Sequence, residues 1–288
     1  MSGTNGRYSM LGIVIVNYRD YGRTERFIRE ELSRITIPFR LVIADNGGSS
    51  EEAAYLQEKT GCTVLALPNH GFAAGCNRAA TELLHDSEVD YILFTNTDLH
   101  LGSEGIVEAL LAKMEENPEI GIIGPAIVGE DGKRQSPEPY MGLWKRYVWM
   151  YLSTPFLSKA VKRSIFQLDY SEEAREGFHY RVMGSFFLCR AEDWKQVGGM
   201  DEETFLYAEE SILSERMVSI GKRTYFLPSV TVVHQHGAVI GAHMDRNRAS
   251  RLRFESDAYF YRKYKGYPAW QVGLVRIIFK LILACRRS

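Results

Sequence analysis

Three groupings of acidic and imidazole side chains stand where the chain pattern would expose them. Asp98 closes FTNTD (94–98), which follows an apolar run that reads as a buried strand, so its carboxylate would stand at the strand exit. One carboxylate there is enough to hold Mg²⁺ or Mn²⁺ on a diphosphate, because such hard cations take only one or two protein oxygens. An Asx turn that caps the loop is the other role open to Asp98. HQH (234–236) puts His234 and His236 at i and i+2 of a strand, on one face, as further metal ligands or as solvated strand-end histidines. YAEES (207–211) puts Glu209 and Glu210 in the first turn of a helix, where carboxylates favour the helix dipole. Beside Phe205 and Tyr207, one of them can have its pKa raised enough to take a proton from a hydroxyl near neutral pH.

A fourth feature is the loop LPNHGFAAGCNRAA (67–80). Its glycines allow a close backbone approach to a ligand, and the helix expected from near Gly75 would offer free amides to an anion. It matches neither GxGxxG nor GxxxxGK[ST], which argues against a dinucleotide fold or a P-loop ATPase. A plain turn is the common use of such a stretch. Its place among three similar loops favours a ligand.

The elements that must position these groups alternate. LGIVIVNY (11–18) and FRLVIADN (39–46) read as buried strands, with a helix between them at YGRTERFIREELSRI. EEAAYLQEKTG is a second helix, CTVLAL a third strand, GCNRAATELLHD a third helix and DYILFTNTD a fourth strand. Strands alternating with helices predict a Rossmann-like α/β fold, with ligand loops VNYRD, ADNGGSS, PNHGFAAGCN and TNTDLH at the strand carboxyl ends. After residue 120 the pattern changes. GIIGPAIVGEDGKRQ reads as a strand and hairpin, RVMGSFFLCRAEDWKQVGGM as strand, turn and short helix, TFLYAEESILSERMVSIG as a helix closed by Gly221, and TYFLPSVTVVHQHG as a further strand.

At 288 residues and 45% hydrophobic content the chain can bury a large core, and its formal charge of −1 implies no nucleic-acid partner. Cys62, Cys76, Cys189 and Cys285 show no CxxC spacing, which fits a reducing compartment and buried thiols. The start MSGTNGRYSM has no apolar run behind a basic segment, and no stretch reaches the length of a membrane span, so a cytoplasmic location is expected.

The ordered set VNYR (16–19), ADNGG (44–48), NHGFAAGCN (69–77), FTNTD (94–98), GSFFLCR (184–190), DEETFLYAEE (201–210) and VVHQHG (232–237) resembles the inverting family 2 glycosyltransferases of the GT-A fold. It is most similar to their bacterial rhamnosyltransferase-type branch, over roughly residues 10 to 265. The resemblance implies an α/β fold with a mixed central sheet: a nucleotide-sugar-binding half at 1–120, a metal- and acceptor-binding catalytic half at 121–250, and a C-terminal helical segment at 251–288. It implies that Asp45 hydrogen-bonds a pyrimidine base, bordered by Asn17 and Tyr18, and that Gly71, Phe72 and Asn77 lie against the sugar nucleotide. Asn96 and Asp98 match the family's metal motif, His234 its late histidine near metal or diphosphate with His236 close behind, and Gly184 and Ser185 the turn lining the donor-sugar and acceptor site. Glu210 matches the catalytic base. Glutamate stands there for the usual aspartate, and Ile212 and Ser214 replace the usual Asp and Cys, which leaves Glu209 as an alternative base.

Two aromatic and basic stretches suggest a lipid-linked partner. AWQVGLVRIIFKLILACRRS (269–288) carries Arg276 and Lys280 four apart, with Arg286 and Arg287 beyond them; it suits a helix in a membrane interface, or one docked on the core. YMGLWKRYVWMYLSTPFLSKAVKR (140–163) suits an acceptor-binding flap or a second membrane contact. The expectation is therefore transfer from dTDP-rhamnose, or a UDP-hexose, to a glycan or polyprenyl-linked acceptor, with Mn²⁺ or Mg²⁺ as cofactor, at the inner face of the cell membrane. A non-catalytic sugar-nucleotide or glycan-binding protein is the other reading.

Overall fold

The structure, a computed structural model, describes residues 10–153, 156–235 and 246–285. Four parallel strands, β1 (Met10–Asn17), β2 (Phe39–Asn46), β3 (Thr63–Leu67) and β4 (Val89–Thr95), lie in the order β3-β2-β1-β4. Helices α1 (Tyr21–Glu30), α2 (Ser50–Thr60) and α3 (Phe72–Leu83) make the crossovers. Alternate side chains feed two cores, one on each face of the sheet. Ile13, Ile15, Ile43 and Leu93 join one, and Val14, Val42, Ala44 and Phe94 the other. A strand buried on both faces reads as a continuous apolar run, and so β1, β2 and β4 were visible in the sequence.

Beyond β4 lie β5 (Leu99–His100), helix α4 (Ile106–Glu116) and β6 (Ile120–Gly129). A π-helical turn at Lys145–Trp149 then leads into the short helices α5 (Met150–Leu152), α6 (Lys159–Ile165) and α7 (Tyr170–Glu173). After them come β7 (Gly177–His179), β8 (Phe186–Arg190), α8 (Ala191–Val197), α9 (Glu209–Ser219) and β9 (Arg223–His234). β8 pairs antiparallel with both β4 and β6, β9 runs parallel to β6, and β5 and β7 pair antiparallel with β9. The sheet is therefore mixed. Two long helices, α10 (Arg246–Lys263) and α11 (Ala269–Cys285), build a third core with the π-helical turn, in which Tyr147, Phe254 and Phe279 stack edge and face.

Two expectations need correction. α3 starts at Phe72, not near Gly75, and Gly75 is packed against the β1–β2 surface, where a Cβ would lie 2.9 Å from Asn46 Nδ2 and 3.2 Å from Val16 Cγ1. TNTDLH is not all loop, because Leu99 and His100 pair with His234 and Val233.

Candidate active site

The site is built where β4 and β9 end and β8 begins. β5 pairs with the last residues of β9, which brings His234 opposite Leu99 and beside Asp98; Gln235 N–H donates to the Asp98 carbonyl at 2.8 Å. His234 Nε2 stands 3.3 Å from Asp98 Oδ2, and its Nδ1 is 2.9 Å from Gln135 Oε1. An amide oxygen only accepts, so Nδ1 carries the hydrogen and Nε2 is turned to the carboxylate. Asp98 Oδ1 is buried and has no hydrogen-bond partner among the described residues. An orphaned carboxylate oxygen beside an imidazole nitrogen fits a divalent cation, since burying such an oxygen unpaired is costly. No group of three or more His, Cys, Asp or Glu side chains that could hold a metal occurs among the described residues. The pair therefore suits an ion whose shell is completed by diphosphate oxygens. His236 lies outside the described residues.

One dipeptide joins this pair to the acidic helix. Asn96 N–H donates to the Ser185 carbonyl at 2.8 Å, in continuation of the β4–β8 pairing, and Gly184 N–H donates to Glu210 Oε1 at 3.1 Å. Asn96 is half-buried at the turn, while the Ser185 hydroxyl is buried and without a partner among the described residues. Glu210 Oε2 accepts from Arg181 Nη1 at 3.3 Å. Behind it Glu209 is 4% exposed, and its Oε1 has no partner among the described residues. Burial first, and the neighbouring Glu210 charge second, push the Glu209 carboxyl up to about 8. Glu209 is thus sealed from solvent, whereas Glu210 is half-buried at the Gly184 turn. The carboxyl with the raised pKa is therefore the more buried of the two. Tyr207 (φ 75°) and Ala208 (φ 71°) enter α9 in left-handed conformations that cost non-glycine residues energy, a strain typical of functional sites.

The donor-side residues are assembled by the carboxyl ends of β1, β2 and β3. Asn17 Nδ2 donates to Asp45 Oδ1 at 2.7 Å, Tyr21 OH to Asp45 Oδ2 at 3.1 Å, and Thr24 Oγ1 to Asn17 Oδ1 at 2.9 Å. Burial raises the Asp45 pKa, opposed by the Asn17 and Tyr21 bonds. Asp45 is 0% exposed, and the backbone at Gly48 covers it so closely that a Cβ there would lie 2.0 Å from Oδ2. In this conformation Asp45 braces the β1–β2 loops, and a base reaches it only if that loop shifts. Tyr18 is half-buried next to Gly47.

The 67–80 segment, loop to Gly71 and helix α3 from Phe72, packs against the chain that leads into α9. Phe72 N–H donates to the Phe205 carbonyl at 2.9 Å, and a Cβ on Gly71 would lie 2.3 Å from that oxygen. Gly71 and Phe72 dock the loop on the segment leading into α9, so the first helical amide is not free for an anion. Asn77 is wholly occupied: Oδ1 accepts from Met200 N–H at 2.9 Å, and Nδ2 donates to Met200 O at 2.9 Å and Glu202 Oε1 at 2.8 Å. In this way it clamps the 199–202 segment. Arg181, Gln135 and Glu138 escaped sequence reading, because nothing local marks residues that meet across 43 or 99 positions of chain.

A parallel nucleotide-type half-sheet continued by antiparallel strands that carry the acidic and histidine ends is the GT-A glycosyltransferase architecture. Residues 12–171 match the family described as Glycosyl transferase family 2, and the chain belongs to that family. It is rhamnosyltransferase-like. It is 27% identical over 266 residues to an N-acetylglucosaminyl-diphospho-decaprenol L-rhamnosyltransferase of Mycobacterium tuberculosis, covering 84% of this chain and 80% of that one. It is 21% identical over 233 residues to the rhamnosyltransferase WbbL of Escherichia coli, covering 78% and 83%. The mannosyltransferase PcManGT of Pyrobaculum calidifontis, solved with GDP-Man and Mn²⁺, shares the fold at a TM-score of 0.55 and 12% identity, over 94% of this chain and 69% of that one.

Proposed function

We propose that this glycosyltransferase is inverting and metal-dependent, and that it moves a sugar from a pyrimidine sugar nucleotide to a hydroxyl of a lipid-linked precursor of a cell-surface polysaccharide. dTDP-rhamnose is the preferred donor, supported by the two rhamnosyltransferase relatives, with a UDP-hexose the alternative. The observation that carries the reading is the Gly184–Ser185 junction, which hydrogen-bonds Glu210 on one side and the Asn96–Asp98 turn on the other.

Asp98 and His234 would hold the cation, Mn²⁺ or Mg²⁺, with Gln135 fixing the imidazole tautomer. When bound, that ion supplies positive charge to the departing diphosphate. Glu210 takes the proton of the acceptor hydroxyl as its oxygen attacks the anomeric carbon from the face opposite the nucleotide, which inverts the configuration. Residues 1–120 would bind the nucleotide sugar and 121–250 the metal and acceptor. A non-catalytic binding protein would not need to hold Glu210 at both oxygens, and this hold favours the enzyme.

No helix among the described residues is long and apolar enough to cross a membrane. α11 nevertheless exposes Trp270, Leu274, Ile277 and Leu281 along one stripe, and an apolar hollow of about 410 Å³ is lined by Leu152, Ile278, Leu281, Ile282 and Cys285. Phe156 and Leu168 are exposed nearby in the chain, with Lys159 and Lys280 also exposed. Such a surface supports peripheral binding at the inner face of the cell membrane, where a polyprenyl-linked acceptor would reside.

The test is nucleoside diphosphate release from a panel of dTDP- and UDP-sugars with Mn²⁺ or Mg²⁺. Release from one donor, abolished by chelator, supports the reading and names the sugar. Binding of a donor with no turnover, even with N-acetylglucosaminyl-diphospho-polyprenol present, supports the binding-protein alternative.

A further inference from the structure

The Glu210 carboxylate is held at both oxygens by one short segment. Gly184 N–H takes Oε1 at 3.1 Å and Arg181 Nη1 takes Oε2 at 3.3 Å. Gly184 could not be replaced without cost, because a Cβ there would lie 2.4 Å from Oε1 and 2.8 Å from Glu210 Cγ. Arg181 is itself buried and fixed from the other side. Its Nη2 donates to Glu138 Oε2 at 2.5 Å, and its carbonyl accepts from Glu138 N–H at 3.0 Å in an antiparallel bridge.

The same arm reaches the metal pair. Gln135 holds His234, the Ser136 hydroxyl accepts from Met183 N–H at 3.2 Å, and Glu138 holds Arg181. Residues 135–138 thus fasten the histidine, the 181–184 segment and, through Arg181, the base. The charged groups around Glu210 are Arg181 and, on its own helix, Glu209, with Glu138, Arg146 and Asp257 grouped about the guanidinium.

We infer that Arg181 is the positioning residue for the base: tethered by Glu138, it and the Gly184 amide fix the plane and reach of the Glu210 carboxylate. The inference rests on the reading of Glu210 as the base. A guanidinium suits the task because its planar fork bonds two carboxylates at fixed angles, whereas an ammonium is a point charge on a flexible stem. The cradle also explains why a glutamate serves at position 210. The extra methylene is taken up in the space left by the missing Gly184 side chain, and the second oxygen is caught by Arg181.

The experiment measures kcat and the donor KM for transfer from dTDP-rhamnose to N-acetylglucosaminyl-diphospho-polyprenol with Mn²⁺, for the full chain, Arg181→Ala, Arg181→Lys and Glu210→Gln. Arg181→Ala should lower kcat about 100-fold, the usual effect of displacing a reacting group by ~1 Å, and leave the donor KM unchanged. Free guanidinium at sub-denaturing concentration should restore part of that loss, and Arg181→Lys should fall between the two. A residue needed only for folding would show neither the kcat-only effect nor the rescue. If Arg181→Ala fails to fold, Arg181→Lys decides alone, with a kcat loss at constant KM expected. Glu210→Gln inactive with either Arg181 variant at wild-type kcat overturns the positioning role but leaves the base. Glu210→Gln at wild-type rate overturns both.

Discussion

His234 Nε2 faces Asp98 Oδ2 at 3.3 Å, and the other imidazole nitrogen is committed to Gln135. On the proposed metal reading, Gln135 sets the orientation of the histidine that would be a ligand. Replacing Gln135 with Leu should weaken Mn²⁺ binding roughly 10–100-fold, as loss of an outer partner of a ligating histidine does. Asp98→Ala should weaken it further. Titration calorimetry with Mn²⁺ and nucleoside diphosphate measures both, and unchanged binding in Asp98→Ala would remove the metal assignment.

Glu209 carries a pH signature. Its folded pKa, about 8, lies above the ordinary carboxylate value, so between about 4.5 and 8 the folded state binds more protons than the unfolded one. Stability contributed by this group is therefore greatest at low pH and declines as pH rises through that window. Glu209→Gln abolishes the decline. The Tm of the variant should gain on wild type between pH 5 and pH 8, by about 3 °C for every tenfold by which folding tightens proton binding, a factor worth ~1.4 kcal/mol. Parallel Tm curves across that range would show that Glu209 is ionised in the fold.

Asp201 has the opposite sign. It accepts from Tyr259 OH at 2.8 Å, Tyr264 OH at 2.6 Å and Lys263 Nζ at 3.0 Å, tying α10 to the segment before α9. These bonds outweigh its burial and hold its carboxyl well below the usual range. A depressed folded pKa stabilises above the unfolded value, near 3.9, and this contribution is lost as pH falls. Asp201→Asn should cost about 1–3 kcal/mol near pH 7, the usual loss when a buried carboxylate gives up charge-assisted hydrogen bonds to partners that, like the half-exposed Lys263, can turn to water. The deficit relative to wild type should shrink as urea unfolding is repeated at lower pH.

α11 separates a packing face from an exposed one. Val272, Val275 and Phe279 are buried in the third core, so truncation would damage the fold itself. Replacing Trp270, Ile277 and Leu281 with Ser touches only side chains at least 60% exposed. That triple variant should keep the wild-type Tm and lose flotation with vesicles containing anionic lipid. Equal flotation of the two proteins would take α11 out of the membrane contact.

Much of the nucleotide-side half was legible because β1, β2 and β4 are buried on both faces and leave unbroken apolar runs ending in Asn and Asp. The mixed continuation was harder to see. β5 is two residues long, and its pairing with β9 depends on chain more than 130 positions away, which no local pattern encodes. Asp98, His234 and Glu210 could be picked out by residue type. The partners that orient them, Gln135, Arg181 and the Gly184 amide, could not, since they act through tertiary distance alone. The bonds of Asn77, on α3, to the Met200 backbone were likewise invisible, since Met200 lies 123 positions along the chain.

The central claim is that Glu210 is the base of a sugar transfer. It is tested most directly by the rate at which Glu210→Gln moves rhamnose from dTDP-rhamnose to N-acetylglucosaminyl-diphospho-polyprenol, with donor affinity measured on the same preparation. The expected result is a loss of about 10²–10⁴-fold with donor binding intact. A variant that keeps more than about a tenth of the wild-type rate would contradict the assignment, because a general base supplies far more than that.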